Sequence, residues 1–322
     1  MSHNVTLASA VSAVNRLFDR LMPFLIPSGV VAGLVFSQVF ILLRPFIPWL
    51  FGVMTLSGAI KLRARDLGRA ATDPKPVLLF FLFTHGFIPG IAFFLARIVF
   101  NGNQDIISGY ILLAAIPTAV SGFIWVSLYG GDAALSLTII LLDTLAAPLV
   151  VPGTVSLLLG TALTLDMTGI TVSLFFMVVF PTILGVLFNE ISRGSLPRII
   201  SPYMGPVSKL CLALVVAANS AAIADQIHLK EPLFWIVGVC CVFLTSLGFI
   251  GSNLTGLAGG LSAEKRTTLF FASGLRNVSA SATLAIEFFP AAAALPAILG
   301  MLSQQILAAL LGKLIIRRHP PT

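Results

Sequence analysis

Charged residues are scarce in this sequence, and the scarcity decides its class. Only 10% of the 322 residues are Asp, Glu, Lys or Arg, while 57% are hydrophobic. A soluble domain carries roughly 25% charged residues. So few charges leave too little polar surface to cover a fold in water, and the apolar excess points to hydrocarbon as the solvent. Cysteine is nearly absent as well. Cys211, Cys240 and Cys241 all fall inside apolar runs and form no CxxC pattern, which leaves them as buried small hydrophobes rather than a metal or redox site. HExxH, GxSxG and paired carboxylates are missing too, and with them the nucleophile–base sets and metal clusters a membrane enzyme needs. No small-residue cleavage site follows the first apolar run, which begins near Leu21, so a cleavable signal peptide is not expected. The net charge of +7 is spread over short loops and forms no single patch, so nucleic acid is not an expected partner.

What is abundant is apolar sequence punctuated by 27 Gly and 19 Pro, with 25 Phe, a mixture at home in spanning helices. Crossing a bilayer takes about 20 apolar residues. Ten segments qualify, near 21–41, 45–60, 76–100, 106–129, 133–160, 167–189, 202–224, 232–256, 267–288 and 292–315. The expected class is therefore an all-α, polytopic membrane protein. Pro148 and Pro152 should bend the fifth segment. Residues 1–20 read as an interfacial helix with Val11, Val14, Leu17 and Phe18 on one face, and 317–322 as a short tail.

Orientation follows from Lys and Arg. With both termini in the cytoplasm, the inner segments hold fourteen: Arg16, Arg20, Lys61, Arg63, Arg65, Arg69, Lys75, Arg193, Arg198, Lys265, Arg266, Lys313, Arg317 and Arg318. The outer ends hold three, Arg44, Arg97 and Lys230. Lys209 lies near an inner end and Arg276 within a span. The split obeys the positive-inside rule and favours an even number of spans in a cell (inner) membrane. Ten spans divide into two sets of five, residues 21–160 and 161–316, the second inserted upside down relative to the first. IPSGVVAGLVF around Pro27 and FPTILGVLF around Pro181 echo one another across the halves.

The fourth segment of each half reads as a broken helix. One contains Pro117, Ser121 and Gly122 in IPTAVSGF, the other Gly274, Arg276 and Asn277 in ASGLRNVSAS. Pro removes an amide donor and Gly weakens a helix. At mid-membrane the freed backbone groups are tolerable only against protein or a polar cavity, and two half-helix N-termini aimed at one point would suit an anion. A Pro kink without function is the alternative. Arg276 carries a charge near the centre of its span, which needs a partner. Asp143, mid-way along the fifth span, is the acidic candidate, so an Arg276–Asp143 pair is expected, either as coupling machinery or as structural glue. His85, Thr84, Asn219, Ser220, Ser273, Ser279, Asn253, Gln304 and Gln305 are further intramembrane polar residues, each of which alone is more often a packed group than a ligand.

At these interruptions the chain resembles the bile acid:sodium symporter family. The resemblance runs over nearly the whole sequence: ten spans, GAIKLRARDLG after the second, Pro89 in the third, the stretch from Pro117 through GDAALSLT to Pro148 and Pro152, and SGLRN in the ninth. It implies a panel domain of spans one, two, six and seven, a core domain of the rest, and crossing of the broken fourth and ninth spans. The implied cargo is bile acids, sterol conjugates or small carboxylates. The sodium residues depart from the family pattern. Where the family has Ser-Asn, this chain has Gly122 and Phe123. Ser136 is retained, but Ile140 stands in place of a Thr. Ala272 replaces a Glu, Arg276 replaces a Gln, and Thr84 aligns at or beside another Gln. Asn277, which lies near substrate in relatives, is kept. Sodium needs about five or six oxygens with a carboxylate among them, and Phe123, Ile140 and Ala272 supply none.

The expectation is a secondary transporter of an organic anion by alternating access, not coupled to sodium. Asn277, Arg276, Ser121, Gly122 and Ser273 are the expected substrate-binding residues. Asp143, Arg276 and His85 are expected in ion pairing or proton coupling, and Pro117 and Gly274 at the breaks. Arg276 would act as a built-in cation, or grip a carboxylate bidentately. No cofactor and no resident metal are expected. A channel, or a sensor that binds without transporting, is the competing reading, and a membrane enzyme a third. Arsenite export is disfavoured because Thr118 stands where a Cys would be needed.

Overall fold

A computed structural model describes residues 24–160 and 165–316. The proposed interfacial segment 1–20 and the tail 317–322 lie outside the described residues. Thirteen helices are described: α1 Phe24–Val35, α2 Ser37–Ala59, α3 Arg65–Thr72, α4 Pro74–Val99, α5 Gln104–Ala115, α6 Gly122–Leu128, α7 Ala133–Leu159, α8 Met167–Ile191, α9 Ser195–Ala222, α10 Pro232–Ala258, α11 Ala263–Gly274, α12 Val278–Phe288 and α13 Ala291–Ile315. Among the described residues no strand forms, and the sole extended pairing is an isolated bridge. Among the described residues seven helices are long and apolar enough to cross a membrane: α2, α4, α7, α8, α9, α10 and α13. Large apolar side chains point outward from them, Trp49 at 77% and Leu157 at 82% exposure among them. Water would penalise such a surface and hydrocarbon does not. The chain is a multi-pass α-helical membrane protein.

Local sequence explains where helices begin and end. Asn103, Asp132 and Asp166 cap α5, α7 and α8, their side-chain oxygens accepting from Ile106, from Ala134 and Leu135, and from Gly169 amides at 2.8–3.1 Å, which satisfies donors that a helix start leaves open. Instead of a loop near 42–44, a 3₁₀ turn over Ile41–Phe46 carries Pro45 and leads into Ile47–Ala59. The second apolar segment therefore extends back to Ser37. α7 runs through Pro148 and Pro152 without interruption.

The chain forms two compact units. The first comprises described residues up to Ala64 together with Phe176–Ala222, so it holds α1, α2, most of α8 and α9. Its helices approach closely through glycine. A Cβ on Gly33 would fall 2.2 Å from the Ala217 carbonyl oxygen, and one on Gly29 3.2 Å from that of Ala213. This is the small-xxx-small packing of membrane helices. Asn189 donates to the Leu62 carbonyl at 2.8 Å and Glu190 accepts from the Ala64 amide at 2.8 Å, tying α8 to the end of α2.

The second unit holds Arg65–Phe175 and the residues from Ile223 onward. One apolar cluster joins α6, α10, α11 and α13 through Val126, Tyr129, Phe249, Phe270, Phe271 and Ala308. Another joins α4, α7 and α11 through Val77, Phe80, Leu135, Ile139, Leu269 and Ala272. Both clusters surround the place where α5–α6 and α11–α12 are interrupted.

Candidate functional site

Each interruption starts where the sequence forbids a continuing helix. α5 stops at Ala115, and Ile116 turns extended at φ −61°, ψ 145°, the conformation the following Pro117 imposes on its predecessor. α11 stops at Gly274, and Leu275 is extended at φ −105°, ψ 93°. The two extended stretches then pair antiparallel around Thr118 and Arg276. The Ala119 amide donates to the Leu275 carbonyl and the Asn277 amide to the Pro117 carbonyl, both at 2.8 Å. Each break thus satisfies the backbone groups freed by the other, the condition for irregular backbone inside a bilayer.

The register separates the two half-helix starts. α6 begins beyond the Leu275 end of the pairing, where a Cβ on Gly122 would lie 3.8 Å from the Phe271 oxygen. α12 begins at the Pro117 end, directly after Asn277, whose amide donates to the Pro117 carbonyl. The expected convergence of two N-termini on one point is therefore not what forms. Each start lies beside the end of the other broken helix, an arrangement in which opposite helix-dipole ends meet.

Arg276 is buried, 7% exposed. Its backbone amide donates to Gln304 Oε1 at 3.2 Å. Its guanidinium Nη2 donates to the Thr84 carbonyl at 2.9 Å and to the Ala114 carbonyl. Both carbonyls are available for a local reason. Ala114 is in the last turn of α5, where carbonyls have no amide partner ahead. Thr84 lies in a π-helical turn, Leu82–Phe87, in which the Ile88 amide reaches back five residues to Phe83. The next amide in that pattern would serve Thr84, but residue 89 is Pro. Arg276 Nη1 is buried with no hydrogen-bond partner. The residue borders a cavity of about 20 Å³ with Ile88, Leu113, Leu244, Thr245 and Ser273, room for about one water molecule.

The expected Arg276–Asp143 ion pair is not formed. Asp143, fully buried, accepts from the Thr118 amide at 2.7 Å and pairs with His85 Nε2 at 2.8 Å. Its charge acts on Arg276 through space, without direct contact. The sequence argument paired the two central charges because it weighed side-chain charge alone. The structure gives the guanidinium carbonyl oxygens and the carboxylate an amide and an imidazole. Ser273 bonds Thr84 through their hydroxyls at 2.7 Å, joining α11 to α4. Gly274 is needed for space, since its Cβ would fall 2.1 Å from the Phe249 ring. Ser121 and Asn277 are half-buried at opposite ends of the paired stretch.

The positions that would have to hold sodium do not fit it. Ala272 is packed into the apolar cluster with Val77, Phe80 and Ile139. Ile140 is 1% exposed. The carbonyls of Ala272 and Leu275 accept from the Thr118 hydroxyl at 2.7 and 3.2 Å, and Arg276 takes those of Thr84 and Ala114. Thr118 was not among the residues expected in the site. Its amide, side chain and backbone bridge all serve the crossing, and its place one residue after Pro117 was the available signal.

A multi-pass helical protein whose central charges sit where two broken helices pair has the architecture of a membrane transport protein. The chain belongs to the sodium bile acid symporter family, whose model matches residues 47–229. It is 38% identical over 296 residues to the uncharacterized protein YbaS of Bacillus subtilis (strain 168), covering 92% of this chain and 97% of that one. It is 24% identical over 287 residues to the probable sodium/metabolite cotransporter BASS3, chloroplastic, of Arabidopsis thaliana, covering 88% and 65%. With the uncharacterized sodium-dependent transporter YocS of Bacillus subtilis (strain 168) it shares 21% over 266 residues, 83% and 81% of the two chains.

Proposed function

We propose that this protein is a secondary transporter of an organic anion or small carboxylate that works by alternating access without sodium. The observation that carries the reading is the Arg276 guanidinium, bound to two backbone carbonyls where the broken helices pair. Backbone carbonyls are the kind of oxygen a hard cation would take. Here a covalently tethered cation takes them. The cavity beside Arg276 has room for about one water, so Arg276 holds the crossing together and the cargo binds elsewhere on the broken helices. The half-buried Asn277 and Ser121, with Gly122 at the α6 start, are the proposed cargo contacts, and Ser273 is assigned to holding α11.

The proposed topology is ten spans in two inverted sets of five, with both termini cytoplasmic in a cell membrane. Seven long apolar helices and three shorter ones, α1, α5 and α12, support that count. The interruption of α5–α6 and of α11–α12 at matching places in the two halves supports the repeat. The division into a unit of residues up to Ala64 with Phe176–Ala222, and a unit of the rest, supports the panel and core assignment.

The names of the relatives favour sodium coupling, and one experiment separates the two readings. Purified protein is thermally unfolded in sodium chloride and in choline chloride at equal ionic strength. A bound ion at 100 times its Kd would stabilise by about 2.7 kcal/mol. Coincident transitions are expected, and a saturable, sodium-specific stabilisation refutes the reading. Uptake of labelled small carboxylates into proteoliposomes in the two salts gives the same comparison for flux.

A further inference from the structure

We propose that Nδ1 of His85 is the binding site of a coupling proton, taken up together with the carried anion. The inference rests on the reading above that the protein transports an anion without sodium.

The hydrogen bonds fix which nitrogen is free. An ionised carboxylate only accepts, and the two oxygens of Asp143 are used by the Thr118 amide and by His85 Nε2. With Asp143 ionised, Nε2 is the donor, and in the neutral ring Nδ1 is a bare lone pair. Nδ1 is buried and has no hydrogen-bond partner. Phe80 and Phe81 pack beside the ring, with centroids at 6.1 and 5.5 Å. The His85 side chain is 8% exposed, against 0% for Asp143, so the imidazole lies nearer the surface than its partner. A proton on Nδ1 makes an imidazolium paired with Asp143.

The charges around the ring make that proton useful. Among the described residues Asp143 on α7 is the charged group in contact with the ring, at 2.8 Å, and Arg276 is bound to the carbonyl of the neighbouring Thr84. α10, packed against the π turn, has no acidic or basic residue from Pro232 to Ala258. α5, packed there too, contributes Asp105 in its opposite, first turn and Tyr110, whose hydroxyl donates to the Val237 carbonyl at 2.6 Å. With a neutral ring, Arg276 and Asp143 cancel. An anion bound alone leaves an uncompensated negative charge in a low-dielectric interior, and a proton bound alone leaves a positive one. Both states are costly, and the state with proton and anion together is neutral. Each ligand then favours the other, which is the thermodynamic content of coupling. The charge change also falls one residue from Thr84, whose carbonyl holds Arg276 and whose hydroxyl meets Ser273. The proton forms one N–H bond on Nδ1, and that bond breaks again when proton and anion are released on the far side.

Two measurements on the full-length protein test this. Histidine nitrogen NMR is recorded on ¹⁵N-His protein, with the His85 signals assigned by His85→Gln. Acidification from about pH 8 to about pH 5.5 is expected to move the His85 Nδ1 signal from the lone-pair to the protonated position. Asp143→Asn should move the His85 Nε2 signal, because the carboxylate facing that nitrogen is gone. A signal fixed across the range, or one indifferent to Asp143→Asn, overturns the proposal; the pH series itself is read on the wild type, and the two variants serve the assignment and the carboxylate comparison. The second measurement follows maleimide labelling of Ser121→Cys, since the three native cysteines are buried. The ratio of labelling rates at the two pH values should differ at least about three-fold between the His85 and His85→Gln backgrounds, a bias of about 0.65 kcal/mol. Equal ratios overturn the coupling. Sodium-specific stabilisation would refute the previous reading without altering the His85 titration, so the two failures are distinguishable.

Discussion

Replacing Arg276 should be the most damaging single change in the second unit, and its cost follows from the contacts. Arg276→Ala removes charge-assisted bonds to the Thr84 and Ala114 carbonyls, each worth roughly 1.5–3 kcal/mol. It also leaves two buried acceptors without a donor and enlarges the cavity of about 20 Å³ at the site. Removing one member of a buried charge set typically costs about 3–5 kcal/mol. Asp143 keeps its bonds to Thr118 and His85, which places the expected loss near the lower end, about 3 kcal/mol. Relief of the guanidinium's own desolvation prevents a larger sum. Arg276→Lys keeps the charge on a point donor that cannot reproduce the planar fork, so about half the loss is expected. Unfolding in mixed detergent micelles with increasing dodecyl sulfate, followed by tryptophan fluorescence, measures both. An Ala variant within about 0.5 kcal/mol of wild type, or a Lys variant as unstable as Ala, would refute the idea that the guanidinium holds the crossing through its carbonyl contacts.

Gly274→Ala drives a methyl into the buried Phe249 ring and should cost about 1–3 kcal/mol. In the same assay Phe249→Leu, itself mildly destabilising, should absorb most of that cost in the double variant, whereas full additivity would mean the ring does not set the requirement. Double-mutant cycles should rank the charges: about 1.5–3 kcal/mol of coupling between His85 and Asp143, and about 0.5–1 kcal/mol between Arg276 and Asp143, with the reverse order refuting the geometry. Reporter fusions at Gly102 and Thr322 should report opposite sides of the membrane, and signals from the same side would remove the ten-span topology.

Much of this fold is written in hydropathy, because a spanning helix must be apolar along its length. Breaks are written nearly as plainly. Pro117 cannot continue α5, and its neighbour Ile116 is extended as the residue before a proline should be. Gly274 marks the second break for a different reason than helix weakness. It makes room for Phe249, an element away in sequence, and no local rule contains that information. The same limit explains the misplaced ion pair. A count of side-chain charges leaves Arg276 and Asp143 facing each other, since backbone carbonyls are normally consumed within helices. Pro89, five residues beyond Thr84, withholds the amide that would occupy that carbonyl in the π turn. The proline is visible in sequence, but the π turn that gives it this consequence is not. His85 likewise gains meaning only when the folding of α4 against α7 brings it to 2.8 Å from Asp143.

A tethered cation differs from a bound one in what it can do. A dissociable ion holds two broken helices together only while it is present, so its gradient can bias the conformational cycle. Arg276 is always present and contributes the same attraction to the Thr84 and Ala114 carbonyls whatever the solution holds. A ligand or charge with equal effect on every state shifts no equilibrium, so the arginine can stabilise the crossing but cannot drive transport. If an external gradient does work on this protein, it must act through a group whose charge varies. His85 is held by Asp143 on one nitrogen and bare on the other, in contact with the carboxylate that balances the fixed arginine. On the proposed sodium-independent reading, an ion that replaces sodium binds next to the crossing, at the imidazole on the other side of Asp143 from the charge of Arg276.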